Sequence, residues 1–154
     1  MISRLKDFLN RNGVNYVSYY HNPIYSAEEL SLFLGEPIEN IVKSMVVGIA
    51  GEYIMIVLPG HCEVDLDLLA ESLLTDEISF TSESVLETLF PDCETGAIPP
   101  FGNLYGMDVY VESGLNDIEE IIFNGGTFRD TVKIRFNEYK NIVNPHIIGF
   151  CVYN

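Results

Sequence analysis

Asn40-Ile-Val-Lys-Ser-Met-Val-Val-Gly-Ile49, followed by Glu52-Tyr-Ile-Met-Ile-Val-Leu58, is the stretch that decides the fold. Both runs are rich in β-branched and apolar residues, which marks strands, and Gly48 and Gly51 flank the break, which predicts a hairpin. Alternation with period two puts Ile41, Lys43, Met45 and Val47 on one face. An ammonium therefore stands in an apolar row, at a cost unless it is paired. Two readings of Lys43 are open. It pairs with a buried carboxylate or runs its stem outward to water, or it is a cation on a pocket floor, facing a substrate carbonyl or phosphate. Ser44 points to the opposite face and reads as a structural hydroxyl. No G-x-S-x-G surrounds it, so a serine-hydrolase elbow is not indicated.

Upstream, Ile2, Leu5 and Phe8–Leu9 recur at helical spacing and Asn12–Gly13 ends the run. Residues 14–20 read as a strand. Ser26-Ala-Glu-Glu29 is a capping box that opens a helix over 27–34, closed by Gly35 and Pro37. Downstream, helices are expected over 65–74, with Asp65 as cap, and over 82–90. Residues 91–106 carry Pro91, Pro99, Pro100 and three glycines and must be loop. Strands follow over 107–112, 118–123 and 131–136, then a short helical turn over 137–143 and a last strand over 147–152. Several strand pairs are joined too tightly for a βαβ crossover. The expectation is a single α/β (α+β) domain over 1–154, with a mixed, mostly antiparallel sheet and surrounding helices.

The chain has 154 residues with 8 basic against 23 acidic side chains, a net charge of −15. That excludes nucleic-acid binding through a broad basic face, while leaving room for a small cationic spot at one end of a polyanion. A hydrophobic content of 47% excludes a disordered chain. No apolar run reaches the ~20 residues that cross a bilayer, so no membrane partner is expected. The first residues show no signal-peptide core, which with three unpatterned cysteines (Cys62, Cys93, Cys151) predicts a reduced, cytoplasmic protein. His61–Cys62 with Cys93 fits no zinc spacing, and a Cys93–His nucleophile has no visible support; no metal and no cofactor are expected.

Among the remaining candidates, Glu94-Thr-Gly-Ala-Ile-Pro-Pro-Phe-Gly102 stands out. Gly96 permits unusual backbone geometry, the paired prolines stiffen the segment, and exposed N–H groups could face a developing oxyanion. An ordinary tight turn is the alternative. Phe123-Asn-Gly-Gly126 is half of a phosphate-cradling turn, without the glycines or lysine of a nucleotide fingerprint. Arg129, Lys133, Arg135 and Lys140 gather half of the basic residues, and Thr131, Lys133 and Arg135 share one strand face that is the best candidate for touching a phosphate. His21, His61 and His146 show no partner, and none is assigned as a general base.

Taken together, His21-Asn-Pro-Ile-Tyr-Ser-Ala27, Val42-Lys-Ser44, Val57-Leu-Pro59, Val64-Asp-Leu66, Gly96-Ala-Ile-Pro-Pro-Phe-Gly102, Val109-Tyr-Val111 and Ile122-Phe-Asn-Gly-Gly126 resemble the YbaK family of aminoacyl-tRNA deacylases, seen also as the editing insertion of bacterial prolyl-tRNA synthetases. The resemblance implies a trans-editing hydrolase that cleaves the ester between a wrong amino acid and the tRNA 3′ end. It uses water and the tRNA's terminal 2′-hydroxyl, and no metal. Lys43 matches the pocket lysine that holds the terminal phosphate or the carbonyl. Gly96 and Pro100 match a G-x-x-x-P loop, and Gly102 shapes it. Tyr25 and Ser26 fall where relatives line the amino-acid pocket, and Pro99, Phe101, Asn124 and Gly125 fall beside the substrate. The implied partners are the acceptor end of a mischarged tRNA and, as a candidate, a synthetase. The sequence departs from relatives that carry a histidine at the place of Phe128. That departure and the acidity leave an alternative, a non-catalytic binding or regulatory module using the same pocket for an aminoacyl or nucleotide-like ligand.

Overall fold

In a computed structural model, which describes residues 1–153, the hairpin forms with unbroken antiparallel register from Val42↔Pro59 to Ile49↔Glu52. The chain runs α1 (Ser3–Arg11), β1 (Tyr16–Tyr20), α2 (Ala27–Leu34), β2 (Val42–Ile49), β3 (Glu52–Pro59), β4 (Glu63–Val64), α3 (Leu66–Ser72), β5 (Ile78–Phe80), α4 (Glu83–Leu89), β6 (Val109–Glu112), β7 (Glu120–Asn124), β8 (Asp130–Arg135), α5 (Phe136–Val143), β9 (His146–Ile148) and β10 (Cys151–Val152). The helix starts follow their caps. Ser26 Oγ accepts from Glu29 N, Asp65 Oδ1 from Asp67 N and Leu68 N, and Ser82 Oγ from Val85 N.

The sheet is mixed as expected, but it is divided. A five-stranded sheet has the order β5-β2-β3-β6-β9, a three-stranded one β1-β8-β7, and β10 pairs with β4. β3, β6 and β9 run parallel, through Met55↔Val109 and Tyr110↔His146. The expected last strand over 147–152 is broken in two. Phe150 turns its ring into the core, and the N–H groups of Phe150 and Cys151 donate to the Glu112 carboxylate, so the chain leaves one sheet and joins another. The turn expected over 137–143 is a helix, because Phe136, Tyr139 and Val143 give it a buried face.

The main core fills the space between the five- and three-stranded sheets, where Val42, Val46, Met55, Val57 and Val109 meet Phe123, Val132 and Ile134, with Leu5 and Leu9 of α1 against them. Val47, Ile54, Ile56 and Leu58 cover the other side of the hairpin with Leu69 and Phe150. A small third cluster, Leu30, Ile41 and Ile122, seats α2 over the start of β2. Each such aliphatic side chain contributes about 1.5–3 kcal/mol by leaving water. This third cluster positions the cleft described next.

Candidate functional site

Among the described residues, β2 has a strand on both sides only at its end, since β5 pairs with Val47–Ile49 alone. At its start the neighbour is β7, through the single parallel bridge Ile41↔Ile122. A cleft of about 270 Å3 opens there. Its walls are the entry and first turn of α2, from Ile24 to Glu28 with Leu30, the start of β2 at Ile41–Lys43, Gly60 after β3, Gly96, and the end of β7 at Phe123 and Asn124.

Two glycines make this convergence physically allowed. A Cβ on Gly60 would lie 2.7 Å from Ala27 Cβ and 3.3 Å from Ile41 O, so a side chain there would push α2 off β2. Gly96 has φ +92°, a backbone state that side chains disfavour, and a Cβ on it would lie 3.0 Å from Phe128 Cζ. The Gly96 turn is held to the β7–β8 turn by a run of hydrogen bonds. Glu94 N donates to Gly126 O, Gly126 N to Ala97 O, and Phe128 N to Glu94 Oε2, at 2.8, 3.1 and 2.8 Å. Ile24 N in turn donates to Phe128 O, which ties in the approach to α2.

Lys43 is exposed in the cleft, and among the described residues no carboxylate lies within ion-pair distance of it. Period-two alternation holds, with Met45 and Val47 on its side of the strand, but the row begins at the rim of the sheet and the ammonium reaches water. Of the first reading, the buried pairing does not form among the described residues, while the outward run to water does; the same exposure also leaves the ammonium free to face a ligand. Ser44, on the other face, donates its hydroxyl to Ile98 O and pins the glycine-proline loop to β2.

The structure brings Lys43, Gly96, Tyr25, Ser26 and Asn124 to one cleft. Pro99, Pro100, Phe101, Gly102 and Gly125 do not line it; all are buried. Phe101 packs into the core against Phe123 and Tyr139, with ring centroids 5.4 and 5.3 Å away, and the Tyr139 hydroxyl donates to Pro100 O. These residues brace the loop from beneath. Gly60 and Glu28 are cleft residues that the sequence reading did not single out; the Pro59–Gly60 turn after a buried strand was the available signal. Tyr25 is 70% exposed, and its ring lies 4.8 Å from that of Phe128, which makes an aromatic rim.

Other candidates lie elsewhere. His21 is buried, its Nδ1 donating to Asn22 O, which leaves Nε2 to accept from the Thr131 hydroxyl. Thr131 is thus an interior partner and no part of a solvated basic face. Lys133 is paired with Glu36 at 3.1 Å. Burial raises the pKa of Cys62, Cys93 and Cys151, the last pushed up to about 12, so none is an activated thiolate. His61 Nε2 lies 3.7 Å from Cys62 Sγ, but among the described residues no cluster of three or more His, Cys, Asp or Glu has metal-binding geometry. Nor, among them, is any helix long and apolar enough to cross a membrane.

A cleft with one unpaired cation, a glycine turn and an aromatic rim suits a small anionic or ester-bearing ligand. The chain is 33% identical over 99 residues to the proline–tRNA ligase of Staphylococcus saprophyticus, and 28% identical over 99 residues to that of Staphylococcus aureus strain Newman. In each case 64% of this chain matches 17% of the ligase, so it spans about a sixth of those relatives. Among solved structures, the crystal structure of a hypothetical protein superposes with a TM-score of 0.88 at 16% identity, covering 97% of this chain and all 100% of that one. A protein put forward as a trans-editing enzyme for prolyl tRNA synthetase superposes with a TM-score of 0.82 at 19% identity, covering 96% of this chain and 94% of that one. These likenesses share the fold. The aminoacyl-tRNA editing domain family matches residues 21–142, nearly the whole span from His21 through α5, and the chain belongs to that family.

Proposed function

We propose that this protein hydrolyses mischarged aminoacyl-tRNA, acting in the cytoplasm on the acceptor end and, where a synthetase is at hand, in concert with it. The observation that carries the reading is the meeting of an unpaired Lys43 with the Gly96 turn in one cleft. Editing of this kind is needed because a synthetase pocket separates amino acids differing by a methylene by only about 1–3 kcal/mol.

In this reading water adds to the ester carbonyl, and the bond to the ribose oxygen breaks. The amino acid leaves as the free acid, and the ribose oxygen recovers a proton. Lys43 holds the terminal phosphate or the carbonyl and offsets the growing negative charge. The backbone of the Gly96 turn faces the oxyanion, where one well-placed donor is worth about 2.7–4 kcal/mol. Tyr25, Ser26 and Asn124 border the aminoacyl group, and Pro99, Pro100, Phe101 and Gly102 keep the loop stiff. Among the described residues the only charged ones in the cleft are Lys43 and Glu28, and no histidine lines it, so the reading gives proton transfer to water and the tRNA's 2′-hydroxyl and routes no step through a metal.

The test is deacylation of a panel of mischarged tRNAs by the native chain and by Lys43→Ala. Turnover by the native chain that collapses in Lys43→Ala supports the reading, and equal rates remove the lysine from it. A ligand-dependent melting shift with no turnover on any substrate establishes instead a binding module. Phe128, whose ring covers Gly96, is the feature that favours that second reading.

A further inference from the structure

A second cleft, of about 330 Å3, lies beside the first and meets it at Gly96. We propose that it receives the terminal nucleobase of the tRNA, with Phe80 as the stacking face. This rests on the editing reading above. In an aminoacyl-tRNA the ester and the terminal adenine hang from the same ribose. An ester held at Gly96 in the Lys43 cleft therefore leaves its base one sugar ring away, and the neighbouring cleft is where that distance leads.

The lining decides between occupants. Among the described residues Glu83 is the cleft's only charged one and no cation borders it, which repels a phosphate and suits a neutral base. Phe80 is 52% exposed on its wall, a large aromatic left half in water at the end of β5. The floor is the edge of β2 at Ser44–Val46, which has β3 on one side and, among the described residues, no strand on the other. Thr81 Oγ1 donates to Val46 O at 2.8 Å, so at that residue a side-chain hydroxyl stands in for the missing strand partner. An aliphatic amino-acid side chain would cover the apolar wall but offer nothing to the strand margin at Ser44–Met45, which β5 does not reach. A purine has an apolar face for Phe80 and a donor–acceptor edge for a strand margin. Stacking also supplies what the chain's charge of −15 denies it, affinity for a nucleic acid end that does not come from neutralising phosphates.

The experiment titrates two short probes by calorimetry: cytidylyl-cytidylyl-adenosine carrying alanine through an uncleavable 3′-amide, and the same compound with the terminal base removed. The native chain should bind the first at least about fivefold more tightly. Phe80→Ala should erase that difference and Phe80→Tyr should keep it. Persistence of the difference in Phe80→Ala overturns the inference. If in that case Phe80→Ala weakens both probes equally, the cleft belongs to the aminoacyl end instead. If the native chain deacylates mischarged tRNA while the probes bind equally or not at all, this inference falls and the editing reading stands. If it neither deacylates nor binds, both fall.

Discussion

The Ser44 hydroxyl donates to the carbonyl oxygen of Ile98, so the strand that carries Lys43 also holds the loop that carries Gly96. Two residues from opposite halves of the cleft are thereby fixed by one contact between their neighbours. Ser44→Ala leaves a nearly buried carbonyl without its partner and should cost about 1–3 kcal/mol of stability. Deacylation should fall along with it, whereas Ser44→Thr, if the hydroxyl reaches Ile98, should retain both. Denaturant unfolding and single-turnover deacylation of the same preparations check this.

Lys43→Ala should separate activity from stability. The side chain is exposed and unpaired, so its removal should change unfolding free energy by no more than about 0.5 kcal/mol. Loss of its charge from the developing oxyanion or phosphate should lower the rate by about 100-fold or more. Lys43→Arg keeps the charge but spreads it over a planar fork, and should fall between the two. Melting temperature and kcat/KM measured side by side decide it.

Gly96→Ala should damage both the backbone and the contact. A side chain at φ +92° is strained by about 1–3 kcal/mol, and the new methyl meets Phe128 Cζ at 3.0 Å. Adding Phe128→Ala removes the second cost but not the first. The double variant should therefore recover only part of the stability lost, and a thermodynamic cycle from unfolding curves measures the part.

Glu112 should make the fold sensitive to acid. Burial favours its neutral form, but hydrogen bonds from the Tyr153 hydroxyl and the N–H groups of Phe150, Gly114 and Cys151 outweigh that and hold its pKa below the usual carboxylate range. A lowered folded pKa means its contribution is fully present above the unfolded value of about 4.3 and is lost as pH falls through the folded one. Glu112→Gln should be destabilised by roughly 1.5–3 kcal/mol at neutral pH, with a flatter stability profile below pH ~4. Urea unfolding from pH 7 down to pH 3 tests the sign.

Much of the frame is local and therefore visible in the residues. α2 runs over Ala27–Leu34 because Ser26 and Glu29 start it and Gly35, at φ 66°, stops it. The hairpin follows from its glycines and alternation. The parallel pairing of β3, β6 and β9 was not visible, since the partners are distant in sequence and nothing in Val109 or His146 names Met55 or Tyr110. The site divides in the same way. Lys43, Gly96, Tyr25, Ser26 and Asn124 sit at turns and strand ends and reach the cleft. Phe101 and Gly102 follow Gly96 closely along the chain, but the loop doubles inward, and packing against Phe123 and Met55 claims them for the core. Thr131 alternates with buried residues in β8, so the pattern puts it outside; the His21 ring reaches over and encloses it.

The cleft takes walls from Ile24 at one end to Asn124 at the other. On the ribosome, then, the hairpin at Val42–Pro59 can close as soon as it emerges, while the cleft has no existence until β7 has been synthesised. A nascent chain would be partly folded with its cleft unmade, and premature termination anywhere before that strand would release a protein with a lysine on display and nothing opposite it.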